Sequence, residues 1–436
     1  MDAGKVMGTL ERHMLVDGFD MVLDLEASQG SQLVDARDGT SYLDMFSYFA
    51  SNALGMNHPA LHTPEAEERL LRAARHKPSN SDVYTPELAA FVAAFERVLG
   101  VDHLPYLFCI EGGALAVENV CKAAFDWKSQ HNEDNGRSPE LGTQVLHLRH
   151  AFHGRSGYTM SLTNTDPRKI ARFPKFAWPR IPSPALQFPL DANAAENRAA
   201  EDAALAAARA AFLDNPHDIA LALVEPIQGE GGDNHLSARF LGELQALAHE
   251  HDALFGVDEV QTGAGFTGTP WAFQQLDIKP DLLAFGKKLH IGGVMGGGRL
   301  DEVDHHVFRE SSRINSTFGG NLTDMVRATI MLEVYEAEGL IDRAAKLGDH
   351  LLERLRGLEA EHEALSQARG RGLWASIDLH DAALRDTVRQ HLLTDEQVVL
   401  LGCGTRTLRF RPTMTVTAEE LDHAVDALDR TVRAAA

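Results

Sequence analysis

Five apolar runs between residues 104 and 288 constrain this chain more than any other feature of it. They read LPYLFCI, TQVLHLRHAFHG, IALALVEPIQGEGG, DALFGVDEVQTG and DLLAFGKK. Each begins as an unbroken apolar stretch and stops on glycines or charged residues. Helical patterns separate them, such as TPELAAFVAAFERVLG with Pro86 near its start. Continuous runs joined by helices predict a mostly parallel α/β sheet buried on both faces. The Ala-rich, charged stretch 194–214 reads as an exposed crossover helix.

The flanks read differently. MVLDLEAS, SQLVDA and TSYLDMF, separated by turns such as Asp38-Gly39, predict a small antiparallel meander. Beyond about residue 320 the chain is helix-rich. LWASIDL and VVLLGCGTRTLRFRP follow, then a last helix entered at Thr417 and Glu420 with capping-box spacing. The division expected is an N-terminal segment 1–60, a large domain 61–318 and a smaller α+β domain 319–436, with the N-terminal meander joining the last. At 436 residues the chain is long enough for two cores. A net charge of −22 repels nucleic acid and anionic membranes, so an anionic substrate needs local cations. Cys109, Cys121 and Cys403 are odd in number and lack metal-type spacing. With no secretory or membrane-spanning pattern, they predict a cytoplasmic enzyme without a metal.

In open parallel sheets, ligands sit beyond the carboxyl ends of the strands. Four polar clusters fall there. In CIEGGALAVEN a strand ends at Ile110, and glycines lead into a helix whose first amides suit an anion; a plain tight turn is the alternative. In FGVDEVQTG, Asp258 and Glu259 end a strand on opposite faces, so one of them faces a pocket and anchors either a cationic ring nitrogen or a nearby helix. In HAFHGRSGY, Phe152 and His153 sit where a flat ring is covered, or where a core aromatic is packed. In FGKK, Lys287 and Lys288 end a buried strand, where a desolvated lysine is a good amine nucleophile; a solvated surface pair is the bland reading. Together these are the parts of a pyridoxal phosphate site.

VEPIQGEGG, VDEVQTGAGFTGTPWAFQ, KPDLLAFGKK and NSTFGGN closely resemble the class III aminotransferases of fold type I. FASNALGMNHPAL, FCIEGGALAVENVCKAAFDWK, AFHGRSGYTMSLTNTDPRK and FGKKLHIGGVMGG resemble the branch acting on the ε-amine of lysine. The resemblance covers nearly the whole chain. It implies a seven-stranded large-domain sheet, a homodimer, pyridoxal 5'-phosphate, and transfer of the ε-amino group of L-lysine to 2-oxoglutarate. The products would be L-glutamate and a 6-semialdehyde that cyclises. By that resemblance Asp258 pairs with the ring nitrogen, Gln261 reaches the ring hydroxyl, and Val260 and Phe152, beside His153, cover the ring. Gly113 and Ala114 hold the phosphate. Ser316 and Thr317, with Asn315 beside the substrate, reach the neighbouring subunit's site. Lys287 is the covalent anchor, with Lys288 its rival.

Such an enzyme accepts two unlike substrates. Arginine binds carboxylate through two parallel hydrogen bonds. The resemblance places Arg155 at the distal carboxylate and Arg409, with Arg411 as the rival, beside the reacting carbon. During the lysine half-reaction Arg409 would be buried and unpaired, at a cost. The resemblance makes Glu230 the carboxylate that shields it and swings away for 2-oxoglutarate; a fixed structural ion pair is the alternative. Ornithine or 4-aminobutyrate as amino donor, and an aminomutase, remain the competing activities.

Overall fold

The computed structural model describes residues 1–435. Its centre is a seven-stranded sheet. In chain order the strands are β1 (Tyr106–Ile110), β2 (Gln144–Leu148), β3 (Arg180–Ile181), β4 (Ile219–Val224), β5 (Leu254–Asp258), β6 (Leu282–Phe285) and β7 (Gly292–Gly296). They lie side by side as β1-β7-β6-β5-β4-β2-β3, with only β7 antiparallel to its neighbours. All six residues of β4 are buried. Leu221 and Leu223 join the core on one face of the sheet, while Ala222 and Val224 join the core on the other. That two-sided burial is why these strands read as unbroken apolar runs. β7 fits between its neighbours because it is glycine-rich: a Cβ on Gly293 would lie 2.4 Å from the Phe285 ring and 2.5 Å from the Phe108 carbonyl.

The C-terminal part carries a four-stranded antiparallel sheet of Leu365–Arg371, Trp374–Leu379, Thr407–Phe410 and Leu401–Cys403, in that spatial order. VVLLGCGTRTLRFRP is therefore a short strand at Val398–Val399 followed by a hairpin. The last helix, Ala418–Ala435, begins at a reciprocal cap: the Thr417 amide donates to Glu420 Oε2 at 2.9 Å, and the Glu420 amide to Thr417 Oγ1 at 3.2 Å.

The N-terminal meander differs from expectation. Gln32–Val34 and Ser41–Asp44 form a hairpin, and the third strand of that sheet is Val398–Val399, parallel to Ser41–Asp44. MVLDLEAS is not a strand. Asp24 Oδ1 accepts from the Glu26 and Ala27 amides, both at 2.9 Å, and this side-chain turn competes with strand pairing. No described helix is long and apolar enough to cross a membrane.

Candidate active site

Beyond the carboxyl ends of β1, β2, β4, β5 and β6 lies a cavity of about 430 Å3. Gly113, Ala114, Phe152, His153, Arg155, Glu230, Asp258, Val260, Gln261 and Lys287 line it. The structure thus gathers most of the residues singled out in the sequence. Asn315, Ser316 and Thr317 do not line it, and Asn315 and Thr317 are exposed.

Helix α1, Gly113–Asp134, starts on Gly112, whose φ of 86° favours glycine. No side chain caps it, so the first amides of a 22-residue helix are left for an anion. A Cβ on Gly113 would meet Val260 Cγ1 at 2.5 Å, which sets how closely this helix end approaches the β5 loop. Strand alternation separates the acidic pair at the end of β5. Asp258 faces the cavity and receives His153 Nδ1 on Oδ2 at 2.8 Å and the Val260 amide on Oδ1 at 3.0 Å. Glu259 turns the other way and accepts from the Phe273 amide and the Thr262 hydroxyl. Gln261 Oε1 is buried without a partner among the described residues.

The two lysines also point apart, but beyond the end of β6, where a left-handed residue rather than strand alternation sets their directions. Lys287 lines the cavity from a left-handed backbone conformation, φ 50°, uncommon for a side-chain-bearing residue and costing on the order of 1 kcal/mol or more. Burial, with the Arg409 charge acting in the same direction, brings its ammonium down to about 8. Lys288 turns away: its Nζ donates to the Gln261 carbonyl at 2.5 Å and lies 4.8 Å from the Phe266 ring centre.

The arginines also separate. Arg411 is fully buried, pairs with Asp233 at 2.5 Å and stacks 3.5 Å from the Trp374 ring centre, so it is structural. Arg409 donates to Glu230 Oε1 at 2.6 Å, while its Nε and other terminal nitrogen have no partner among the described residues. Arg409 does not line the cavity; Glu230 does. Burial alone pushes the Glu230 carboxyl up, but the Arg409 and Lys169 charges outweigh it and bring it to about 2. Arg155 is exposed and makes no ion pair among the described residues. Its loop is tied down by Glu118, which accepts from the Ser156 hydroxyl and the Tyr158 amide, both at 2.7 Å.

Six lining residues were missed in the sequence, Phe49, Gly154, Lys169, Glu225, Ile227 and Thr262, and two of them stand beside Arg409 and Glu230. Phe49 sits in a left-handed turn over Ser47–Ala50 (φ 36° to 62°), a conformation costing roughly 1–2 kcal/mol per residue. Asp44 supports the entry by accepting from the Phe46 and Ser47 amides. The Phe49 ring lies 5.6 Å from Lys287 Nζ and 5.7 Å from the Arg409 guanidinium. Nothing in FSYFAS, which lacks glycine and asparagine, signals such a turn. Lys169, the second, donates to Glu230 Oε2 at 2.9 Å; in NTDPRK it reads as an ordinary surface charge.

This set fits pyridoxal phosphate: uncapped helix amides suit the phosphate, a buried carboxylate the ring nitrogen, an unpartnered amide oxygen the ring hydroxyl, and a lowered-pKa amine the carbonyl carbon. Curated relatives are similar throughout. The L-lysine-epsilon aminotransferase of Amycolatopsis lactamdurans is 56% identical, covering 98% of this chain and 95% of its own. That of Streptomyces clavuligerus is 54% identical, covering 100% and 96%. The solved lysine aminotransferase from M. tuberculosis, in its internal aldimine form, superposes with a TM-score of 0.98 at 54% identity, covering all of both chains. The family model for class III aminotransferases matches residues 16–432, and with it the fold, the cavity and the cofactor fit agree: this chain belongs to the class III aminotransferases, enzymes of pyridoxal phosphate.

Proposed function

We propose that this enzyme transfers the ε-amino group of L-lysine to 2-oxoglutarate, giving L-glutamate and 2-aminoadipate 6-semialdehyde, which cyclises onto its own α-amine. The observation that carries the reading is the Glu230–Arg409 pair at 2.6 Å. With that pair closed, the arginine nearest the reacting end offers no free clamp, which suits a donor with no carboxylate beside its reacting carbon. The relatives named for lysine support the same donor.

The cofactor supplies an electron sink for the substrate carbon when a proton leaves it. The chain's own residues do the rest. Lys287 would hold the cofactor covalently and would also move the proton at the substrate carbon; its lowered pKa keeps a neutral amine available near pH 8. Asp258, held by His153, would keep a ring nitrogen protonated. Gly113 and Ala114 would hold the phosphate, Gln261 the ring hydroxyl, and Phe152 and Val260 the ring faces. Arg155 takes the distal carboxylate of either substrate. Glu230 neutralises Arg409 for lysine and gives it up to the α-carboxylate of glutamate. We assign Ser316, Thr317 and Asn315 to the site of the second subunit of a homodimer, for which the resemblance of NSTFGGN to the class III pattern is the support, and we place the enzyme in the cytoplasm, where unpaired thiols such as Cys109, Cys121 and Cys403 persist.

Charge also decides which amine reacts. Attack at the ε-end leaves lysine's carboxylate to meet Arg155. Attack at the α-end turns the cationic arm towards Arg155 and Lys169, where like charges oppose it. With lysine labelled by ¹⁵N at the ε-position only, the label is expected in glutamate. Label retained in the lysine-derived product would make the enzyme an α-transaminase and withdraw both arginine assignments. Turnover without any amino acceptor would mark an aminomutase.

A further inference from the structure

Glu230 stands where two cavities meet. The second, of about 700 Å3, is lined by His150, Arg385 and Arg389 among others and shares Lys169 and Glu230 with the first. Each Glu230 oxygen has its own cation: Oε1 takes Arg409 at 2.6 Å and Oε2 takes Lys169 at 2.9 Å. The two cations are unlike. Arg409 is 2% exposed and fixed in a strand paired on both sides, opposite Ser376 and Leu401. Lys169 closes the short turn Pro167–Lys169, is 21% exposed, and carries its ammonium on a flexible stem 5.0 Å from the Phe152 ring centre.

We propose that Lys169 is the positioning residue that receives Glu230 when a substrate α-carboxylate takes Arg409. Opening the gate is then a transfer between two cations rather than the release of a bare carboxylate. The reasoning rests on the gate reading of Glu230 and extends it. A half-buried carboxylate stripped of its partner is costly. Glu230 escapes that cost because the Lys169 bond is already formed on the oxygen that Arg409 does not use, and a lysine stem can follow the carboxylate as it moves. Arg409, for its part, has two buried nitrogens without a partner among the described residues, which are free to bind a carboxylate once Glu230 moves aside. Removing Lys169 therefore penalises the open state, where it is the one cation left to Glu230, more than the closed, lysine-accepting state, where Arg409 still holds the carboxylate.

Holoenzyme carrying Lys169→Met is compared with wild type in single turnovers of each half-reaction. The glutamate half is expected to slow about tenfold, the worth of a charge-assisted hydrogen bond, and the lysine half to change less than about twofold. Lys169→Arg should restore the glutamate half. Calorimetry should show glutarate, the bare dicarboxylate, binding about tenfold more weakly to Lys169→Met. In a Glu230→Gln background Lys169→Met should have no further effect on either half. Equal losses in both halves would make Lys169 a ligand of the carboxylate that both substrates share, and no loss in either would make it a surface pair; each overturns the proposal while leaving the gate intact. If Glu230→Gln alone slows both halves equally, the gate itself fails and the proposal fails with it.

Discussion

The two ends of the cavity are built on opposite plans. At the cofactor end, Asp258 and Lys287 leave the ends of adjacent parallel strands, β5 and β6, and Gly113 opens a helix packed on the same sheet. Asp258 is held by one side chain and one amide, and Lys287 by the backbone turn that aims it. At the carboxylate end, Arg155, Lys169 and Glu230 come from loops or short turns, and Glu230 divides itself between two cations. The first plan fixes one geometry for chemistry common to every turnover. The second holds charges in excess and shares them, which suits a pocket that must take two substrates of different length and charge.

That contrast is broken most severely at Lys287. Lys287→Ala should lower transamination by about 10³-fold or more in both half-reactions, since anchor and proton carrier are lost together. Borohydride reduction of wild-type holoenzyme followed by peptide mapping should find the cofactor on Lys287; finding it on Lys288 would reverse the assignment of the pair. Next in size is Asp258→Asn, expected to slow both halves by about 10²-fold and to loosen the cofactor, because a neutral amide no longer holds the ring nitrogen's charge. Stopped-flow traces of each half and the rate of cofactor loss on dialysis check it. Glu230→Ala should cost less and, unlike the first two, unevenly: about tenfold to a hundredfold in the lysine half, where Arg409 is left buried and bare, and little in the glutamate half. Equal loss would make Glu230 a fixed structural partner and place both ends of the cavity on one plan.

The smallest effect is a pH dependence. Protonation removes the amine lone pair, so Lys287, as the proposed anchor, would capture the cofactor carbonyl only when neutral. With its pKa brought down to about 8 by burial, capture of pyridoxal phosphate by cofactor-free protein should rise about tenfold per pH unit up to pH 8 and level off above it. A rate still climbing towards pH 10 would mean that the amine is solvated like a surface lysine.

The cofactor end was far more legible in the sequence than the carboxylate end. Unbroken apolar runs such as Ile219–Val224 announce strands buried on both faces, and a parallel sheet tells where ligands sit. Alternation along a strand was enough to put Asp258 and Glu259 on opposite faces, though the family resemblance was needed to choose Asp258. Alternation was not enough for Lys287 and Lys288, because the chain leaves β6 there and a left-handed residue, not strand geometry, sets their directions. Arg409 and Arg411 share one side of an extended segment by spacing, and only partners far away in sequence, Glu230 and Asp233, tell them apart. Phe49 and Lys169 escaped notice for the same reason: their neighbours in the cavity lie far along the chain, and neither has a local pattern. MVLDLEAS misled because its apolar residues outweighed Asp24, whose side chain decides for a turn.

The pairing of Ser41–Asp44 with Val398–Val399 has a consequence for biosynthesis. The Leu43 amide donates to the Gln397 carbonyl and the Met45 amide to Val399, so the sheet beside Phe49 is assembled from both ends of the chain. At the roughly 5–20 residues per second of ribosomal synthesis, the N-terminal hairpin waits tens of seconds for its third strand. Until then the edge of Ser41–Asp44 is unpaired, and the turn that presents Phe49 lacks the sheet edge it is built on. The large sheet waits less: its edge strand β1 pairs only with β7, so the interval spans Ile110 to Gly292 rather than Asp44 to Val398. A ribosome-bound chain would therefore complete its cofactor-binding strands first and its substrate wall last, with an unpaired strand exposed to chaperones or to neighbouring chains for most of its synthesis.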